Sequence, residues 1–242
     1  MSIFSLMEIY VGTSGYSYKE WKGTFYPAEL PDGKMLAYYG GHFNTVEINN
    51  TFYRLPTAKL LASWAEQVPS GFRFTLKASR KITHEKRLKK TQEETDYLVR
   101  TALGLDGRLG TILFQLPPNL RKDALRLESF LKLLPRELRA SFEFRHPSWM
   151  DEEVFALLRG ANAALCLSDT DENPAADLPS TADWGYLRLR RSSYETADLT
   201  SWAGRLRDRE WGEAYVYFKH EEAGLGAQLA ERFRKLWEQS SK

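Results

Sequence analysis

Short β-branched or aromatic runs alternate along the chain with longer stretches of helical period, and the two periods separate strands from amphipathic helices. Strands are predicted at Glu8–Gly12, Thr45–Asn49, Arg73–Ser79, Thr111–Leu116, Ala140–Arg145, Ala164–Asp169, Tyr186–Arg190 and Ala214–Lys219. Helical pattern falls between them at Lys34–Phe43, Thr57–Gln67, Gln92–Leu105, Asp123–Leu134, Asp151–Arg159, Leu199–Arg209 and Leu225–Gln239. Strands in that number, with helices between them, close a TIM-type (β/α)8 barrel. One connection breaks the pattern. Thr170–Gly185 carries Pro174 and Pro179 and is predicted to be irregular in place of the sixth helix. The runner-up, an open doubly wound sheet, calls for a G-x-G-x-x-G turn after the first strand, where this chain has Val11-Gly12-Thr13-Ser14-Gly15. No linker, low-complexity segment or short repeat divides the sequence, so residues 1–242 read as one domain. If Met7 is the start, the six residues before it are an extension outside the fold.

Alternation sorts each strand into a lumen face and a helix face. Glu47 and Asn49 alternate with Val46 and Ile48; Thr75, Lys77 and Ser79 with Phe74, Leu76 and Ala78; Glu143 and Arg145 with Phe142 and Phe144. Arg188 and Arg190 stand opposite Leu187 and Leu189, Lys219 opposite Phe218, and Gln115 and Asp169 add the fourth and sixth strands. The polar groups gather at the C-terminal ends of the strands, where barrel enzymes carry their sites. Glu47 and Glu143 are the candidate acid and base, their pKa values pushed apart by Lys77 and Arg145. A paired ion network that only closes the barrel top is the competing reading.

Cations prevail in this set, so an anionic ligand is favoured. Arg188, Arg190 and Arg191 end the seventh strand, while Lys219, His220, Gly224 and Gly226 lead into the last helix, where barrels often place phosphate. The aromatics Tyr16, Tyr18, Trp21, Tyr26, Tyr53 and Trp149 fall in the loops after strands and could stack on sugars or bases, with Phe25 and Phe52 assigned to the core. The basic run His84–Lys90 reads as a solvated helix start beside the mouth, and His146 follows the fifth strand. No cofactor is predicted; one divalent ion on Glu47, Glu143 and Asp169 stands as the metal alternative. Cys166 reads as an inert core thiol.

Composition narrows the setting. Lys and Arg number 34 against 32 Asp and Glu, a formal charge of +2, which removes polybasic and acidic tails from consideration. With 43% hydrophobic and 27% charged residues the chain is that of an ordinary globule. The single cysteine removes intramolecular disulfides and cysteine-based zinc motifs and points to a reducing compartment. No run approaches the ~18 apolar residues of a membrane span, so the expectation is a cytoplasmic protein with no membrane contact.

The run Val11-Gly12-Thr13-Ser14-Gly15-Tyr16 with Trp21, Gly23 and Phe25-Tyr26-Pro27 resembles the opening of the YecE-like family, the domain of unknown function numbered 72. Thr45–Asn49 with Thr51–Pro56, Phe74–Ala78, Ile82-Thr83-His84, Leu113–Pro118 and Glu143–Trp149 are similar to further motifs of that family, in order along most of the chain. The resemblance implies the barrel; it implies no reaction. Where the family shows histidine-glycine after the seventh strand this chain has Arg190-Arg191, and where it shows asparagines after the eighth it has Lys219-His220. Both departures favour a more anionic ligand or altered chemistry. Three readings follow. The first is an enzyme acting on a nucleotide, nucleic acid or sugar phosphate, in which Lys77, Arg145 and Arg188 neutralise developing charge. The second is a non-catalytic nucleic-acid binder, and the third a carbohydrate-active barrel using the two glutamates.

Overall fold

The computed structural model describes residues 7–175, 179–220 and 222–239. Eight parallel strands form it: β1 Glu8–Thr13, β2 Thr45–Ile48, β3 Arg73–Lys77, β4 Leu109–Gln115, β5 Ala140–Glu143, β6 Ala164–Asp169, β7 Trp184–Leu189 and β8 Glu213–Phe218. Each is paired with its neighbour in the order β1-β8-β7-β6-β5-β4-β3-β2. The helices are α1 Met35–Gly40, α2 Asn50–Tyr53, α3 Ala58–Ala65, α4 Gln92–Leu103, α5 Ala124–Leu131, α6 Glu152–Gly160, α7 Thr196–Arg207 and α8 Leu225–Gln239. This is the predicted TIM-type barrel. Between β6 and β7 the described residues contain no helix, as the prolines of that segment predict. The proposed extension at residues 1–6 lies outside the described residues.

Helix starts follow local chemistry. Thr57, Asp123 and Asp151 accept hydrogen bonds from backbone N–H groups of the first turns of α3, α5 and α6. Glu195 and Asp198 form a reciprocal capping box at α7, so that helix begins three residues before the apolar pattern does. The four-residue α2 is absent from the predicted elements because it is too short to show a period.

Two cores result. One lies between strands and helices and holds the outward residues, such as Val46, Phe74, Phe114, Phe142, Leu187 and Val216. The other fills the lumen with Tyr10, Leu113, Cys166, Trp184, Tyr186, Tyr215 and Tyr217. Such a lumen needs partners for its hydroxyls. Tyr217 Oη lies 2.7 Å from both the Thr45 and Thr75 hydroxyls, and Tyr10 stacks on Tyr215 with ring centroids 4.8 Å apart.

The joint between β1 and β2 is made differently from the other seven. A single bridge, Ser14 to Glu47, and a Gly15 N–H bond to the Glu47 carbonyl at 2.8 Å are its backbone links. Below them side chains replace the ladder. The Asn44 amide accepts from Val11 N and donates to the Ile9 carbonyl, both at 2.9 Å. Tyr39 Oη accepts from Thr13 N at 2.8 Å and donates to the Thr45 carbonyl at 3.0 Å. Gly12 is required at this seam, because a Cβ there would lie 2.1 Å from the Thr45 oxygen. Asn44→Ala strands two backbone groups at once; it is expected to lower unfolding free energy by about 2–4 kcal/mol in urea denaturation, and a change below ~0.5 kcal/mol would show the seam to be closed by other means.

Candidate active site

Glu47, Glu143 and Arg188 point into the lumen from β2, β5 and β7, strands that are not neighbours, so they meet across the barrel rather than along a ladder. Arg188 Nη2 lies 2.9 Å from Glu47 Oε1 and its Nη1 lies 2.6 Å from Glu143 Oε2, with none of the three side chains more than 3% exposed. The remaining lone pairs are also engaged. The Tyr186 hydroxyl donates to Glu47 Oε2 at 2.5 Å and Gln115 Nε2 donates to Glu143 Oε2 at 2.9 Å, the β4–β5 register having set those two residues opposite one another. Arg190 Nη1 stands 3.6 Å from Glu143 Oε1. Burial is the largest single influence and by itself would raise both carboxyls; the partners together outweigh it, Arg188 with Tyr186 and Lys77 at Glu47, and Arg188 with Arg190 and Gln115 at Glu143, and both are held below the usual range. The two glutamates therefore share one guanidinium and are both ionised, which does not separate them into acid and base.

The separated titration belongs to Lys77. Burial, and then the charge of Arg188, bring its amine down to about 8 against the opposing pull of Glu47 and Glu143. Its Nζ lies 4.4 Å from the centroid of the Phe52 ring, and among the described residues no carboxylate or hydrogen-bond acceptor is held against it. Phe52, expected in the core, is instead half-exposed and forms a platform, with His84 edge-on to it at 4.9 Å. Burial and the nearby charges of Lys77 and Arg145 hold the His84 imidazole below its ordinary value.

The other expected site residues divide. Arg190, half-buried Lys219 and exposed Arg145 stand at the ends of inward-facing strand positions and rim the mouth, with half-buried Asn49 at the end of β2. Tyr53 is 73% exposed beside Phe52. Tyr16 is packed against Tyr39 in the first loop. His146 is a cap: its Nδ1 accepts from Ser148 N. Trp149 leaves the site altogether, being fully buried, stacked on Phe144 at 4.7 Å and bonded through Nε1 to the Leu120 carbonyl.

Asp169 also departs from the expected set. On β6 the lumen face is that of Cys166, two residues before Ser168, so Asp169 faces outward. There its carboxylate takes hydrogen bonds from Arg191 Nε and the Tyr194 hydroxyl at 2.9 Å, the Trp202 indole at 3.3 Å and the Ala175 N–H at 3.0 Å. Arg191 is thereby held away from the mouth, paired also with Asp198. A metal on Glu47, Glu143 and Asp169 fails for the same reason, and no group of three His, Cys, Asp or Glu among the described residues could hold one. The glycines after β8 answer to packing: a Cβ on Gly224 would meet Thr24 at 2.8 Å and one on Gly226 the His220 carbonyl at 2.8 Å. Cys166 is buried, and burial pushes its thiol well up, away from thiolate chemistry.

The basic run is not the start of a helix. It passes from a π-helical turn, Lys81–Glu85, into left-handed backbone at Arg87, Leu88 and Lys90, which lets Leu88 bury. With Arg121, Lys122 and Arg126 it walls a groove of about 650 Å³ beside the mouth. A second cleft, about 540 Å³ between α5 and α6, opens at the opposite end of the barrel around Leu131, Leu138, Ala140 and Leu157, with Glu128, Lys132 and Arg136 also lining it. Tyr186 and Phe52 were not legible as site residues because aromatic side chains read as core; the parity of Tyr186 with Arg188 was the available signal.

A family model described as "Protein of unknown function DUF72" matches residues 10–242. The chain is 33% identical over 156 residues to the UPF0759 protein YecE of Escherichia coli, covering 63% of this chain and 54% of that protein, so it spans about half the length of that relative. It is 27% identical over 237 residues to the UPF0759 protein YunF of Bacillus subtilis, covering 90% and 80%. A crystal structure of a DUF72 family protein from Thermotoga maritima superposes with TM-score 0.83 at 28% identity, over 96% of this chain and 99% of that one. No helix of the described residues is long and apolar enough to cross a membrane.

Removing Arg188 leaves two carboxylates buried without a counter-ion. Arg188→Met is expected to destabilise the fold by about 3–5 kcal/mol, and adding Glu47→Gln and Glu143→Gln to it is expected to recover most of that loss in chemical denaturation. Equal stability of Arg188→Met and the unsubstituted protein would contradict the clamp.

Proposed function

Because the chain belongs to the DUF72 family, whose description names no reaction, its function is read from its own mouth, and we propose an enzyme acting on a phosphorylated or otherwise anionic small molecule. One observation carries this reading. Five cations, Lys77, Arg145, Arg188, Arg190 and Lys219, surround two carboxylates, so 5 − 2 leaves a formal +3 at the C-terminal end of the barrel. Arg188 makes the close contacts to both carboxylates, at 2.9 and 2.6 Å. An anion entering the mouth then meets charge that folding has already desolvated in part, where a hydrogen bond to a phosphate oxygen is stronger than in water. Arg190, weakly held at 3.6 Å from Glu143, is the arginine able to turn to a ligand.

The carbohydrate reading loses support from the same geometry, since a glycosidase needs one of its two carboxyls protonated and both here are pushed down by a shared arginine. The nucleic-acid reading keeps one observation in its favour, the basic groove beside the mouth with exposed Arg87, Lys89 and Arg121. Binding there would fall steeply with salt, with a log–log slope near one per phosphate contacted.

Thermal unfolding distinguishes these. Phosphorylated sugars, nucleotides and inorganic phosphate at about a hundredfold excess over Kd are expected to raise Tm by about 5–10 °C. Neutral sugars are expected to leave it unchanged, and Arg190→Ala to remove most of the rise. A shift only with neutral sugars would defeat the reading.

A further inference from the structure

Lys77 differs from the arginines of the seventh strand and the loop after it in what it touches. Arg188 and Arg190 are set against carboxylates, and Arg191 beside them is held by Asp169 and Asp198. Lys77 sits at the end of β3, half-buried, with its Nζ over the Phe52 ring and no hydrogen bond or ion pair within the described residues. The two carboxylates that could have kept it an ammonium are both spent on Arg188. A group meant only to hold an anion is served better by arginine, which never loses its charge. A desolvated amine without a counter-ion is suited to a different task, nucleophilic attack, for which it must be neutral.

His84 completes the arrangement. It packs edge-on against the same Phe52 ring. The Thr83 hydroxyl lies 3.2 Å from the Ser79 carbonyl and 2.9 Å from His84 Nδ1, and its one proton can go to either. With the Thr83 proton on the Ser79 carbonyl, the imidazole proton sits on Nδ1 and Nε2, which makes no hydrogen bond among the described residues, is a proton acceptor, the tautomer that proton transfer at Lys77 needs. Burial and the charges of Lys77, Arg145, Arg80 and Arg87 hold its pKa below the ordinary imidazole value and so favour the neutral ring.

We infer that the Lys77 amine captures the carbonyl carbon of a small anionic aldehyde or ketone as an iminium, with His84 moving the protons. The inference rests on the reading of the mouth as an anion site and names the substrate class and the bond formed. The ammonium releases one proton to solvent, the amine lone pair attacks the carbonyl carbon, the C=O π pair moves to oxygen, and that oxygen takes one proton back from solvent. Nitrogen gives one proton to His84 Nε2, which returns it to the departing hydroxyl. The C–O bond breaks, and the products are water and a C=N bond carrying one proton on nitrogen. Carbonyl plus ammonium thus becomes iminium plus water, with no oxidant or reductant. The iminium then withdraws electrons from the adjacent C–H or C–C bond, while Arg190 and Lys219 hold the anionic group. With the amine brought to about 8, about a tenth of it is neutral at pH 7, against about three in ten thousand at the ordinary lysine value.

The test is reductive trapping on the whole chain. Dihydroxyacetone phosphate is incubated with the protein in sodium borohydride, which reduces C=N to a stable secondary amine, and the modified lysine is located by peptide mass spectrometry. The expected result is one equivalent on Lys77, saturating with probe, suppressed by inorganic phosphate, lost in Lys77→Arg and at least tenfold less with neutral dihydroxyacetone. Because the site is mapped on the unsubstituted protein, the result does not depend on how that variant folds. A phosphate-dependent rise in Tm with no adduct above that of urea-unfolded protein overturns the lysine chemistry and leaves the anion site standing. Equal trapping of neutral dihydroxyacetone overturns the anionic substrate class and the reading beneath it, and neither shift nor adduct overturns both.

Discussion

One guanidinium, that of Arg188, reaches across the lumen from β7 to carboxylates on β2 and β5, and the electrostatics of the mouth follow from it. Each of these groups loses its hydration on folding, at a cost of several kcal/mol apiece, and only mutual pairing with complete hydrogen bonding makes their burial tolerable. Tyr186 and Gln115 supply the hydrogen bonds the arginine does not. Such an arrangement is costly as a means of stability, because apolar side chains of similar volume serve as well or better. Its effect is to fix a charged floor in a dry barrel and to commit both carboxylates. The Lys77 amine is left with their distant attraction, Arg188's repulsion and the face of the Phe52 ring, with no hydrogen bond or ion pair among the described residues.

The barrel around this floor is built to hold it still. Below the clamp the lumen is packed with tyrosines whose hydroxyls are tied down, as Tyr217 is by Thr45 and Thr75. The seam between β1 and β2 is held by Asn44 and Tyr39, and its one backbone bridge is made at Glu47 itself. The residue that carries the clamp on β2 therefore also marks the point where the barrel closes. Rigid placement of this kind is what preorganised charge requires, since its advantage over water is that it does not have to reorient.

Much of this was legible in the chain. Alternation alone put Glu47, Lys77, Gln115, Glu143, Arg188, Arg190 and Lys219 on the lumen side of their strands, and strand after strand the structure agrees. What period could not supply was which lumen groups touch. The sequence offered Lys77 and Arg145 as the charges that divide the two glutamates, whereas Arg188 unites them, because contacts across a barrel depend on the stagger of non-adjacent strands. Asp169 was misplaced by one residue of parity, and a single step carries a strand side chain to the other face. Trp149 follows a strand, and position in a loop says nothing of whether a ring turns in or out. Phe52 and Tyr186 were hidden by their residue type, since aromatic side chains are read as core until a neighbour such as Lys77 or Glu47 is known to lie against them.

Arg188's hold on both glutamates leaves Lys77 without an ion pair among the described residues and brings its amine down to about 8. The most direct measurement is a pH titration of the lysine ¹³Cε resonances by NMR, with the Lys77 signal assigned by its disappearance in Lys77→Arg. An inflection near 8, apart from those of the exposed lysines, is the expected result. An inflection near the ordinary lysine value of about 10.4 would contradict it.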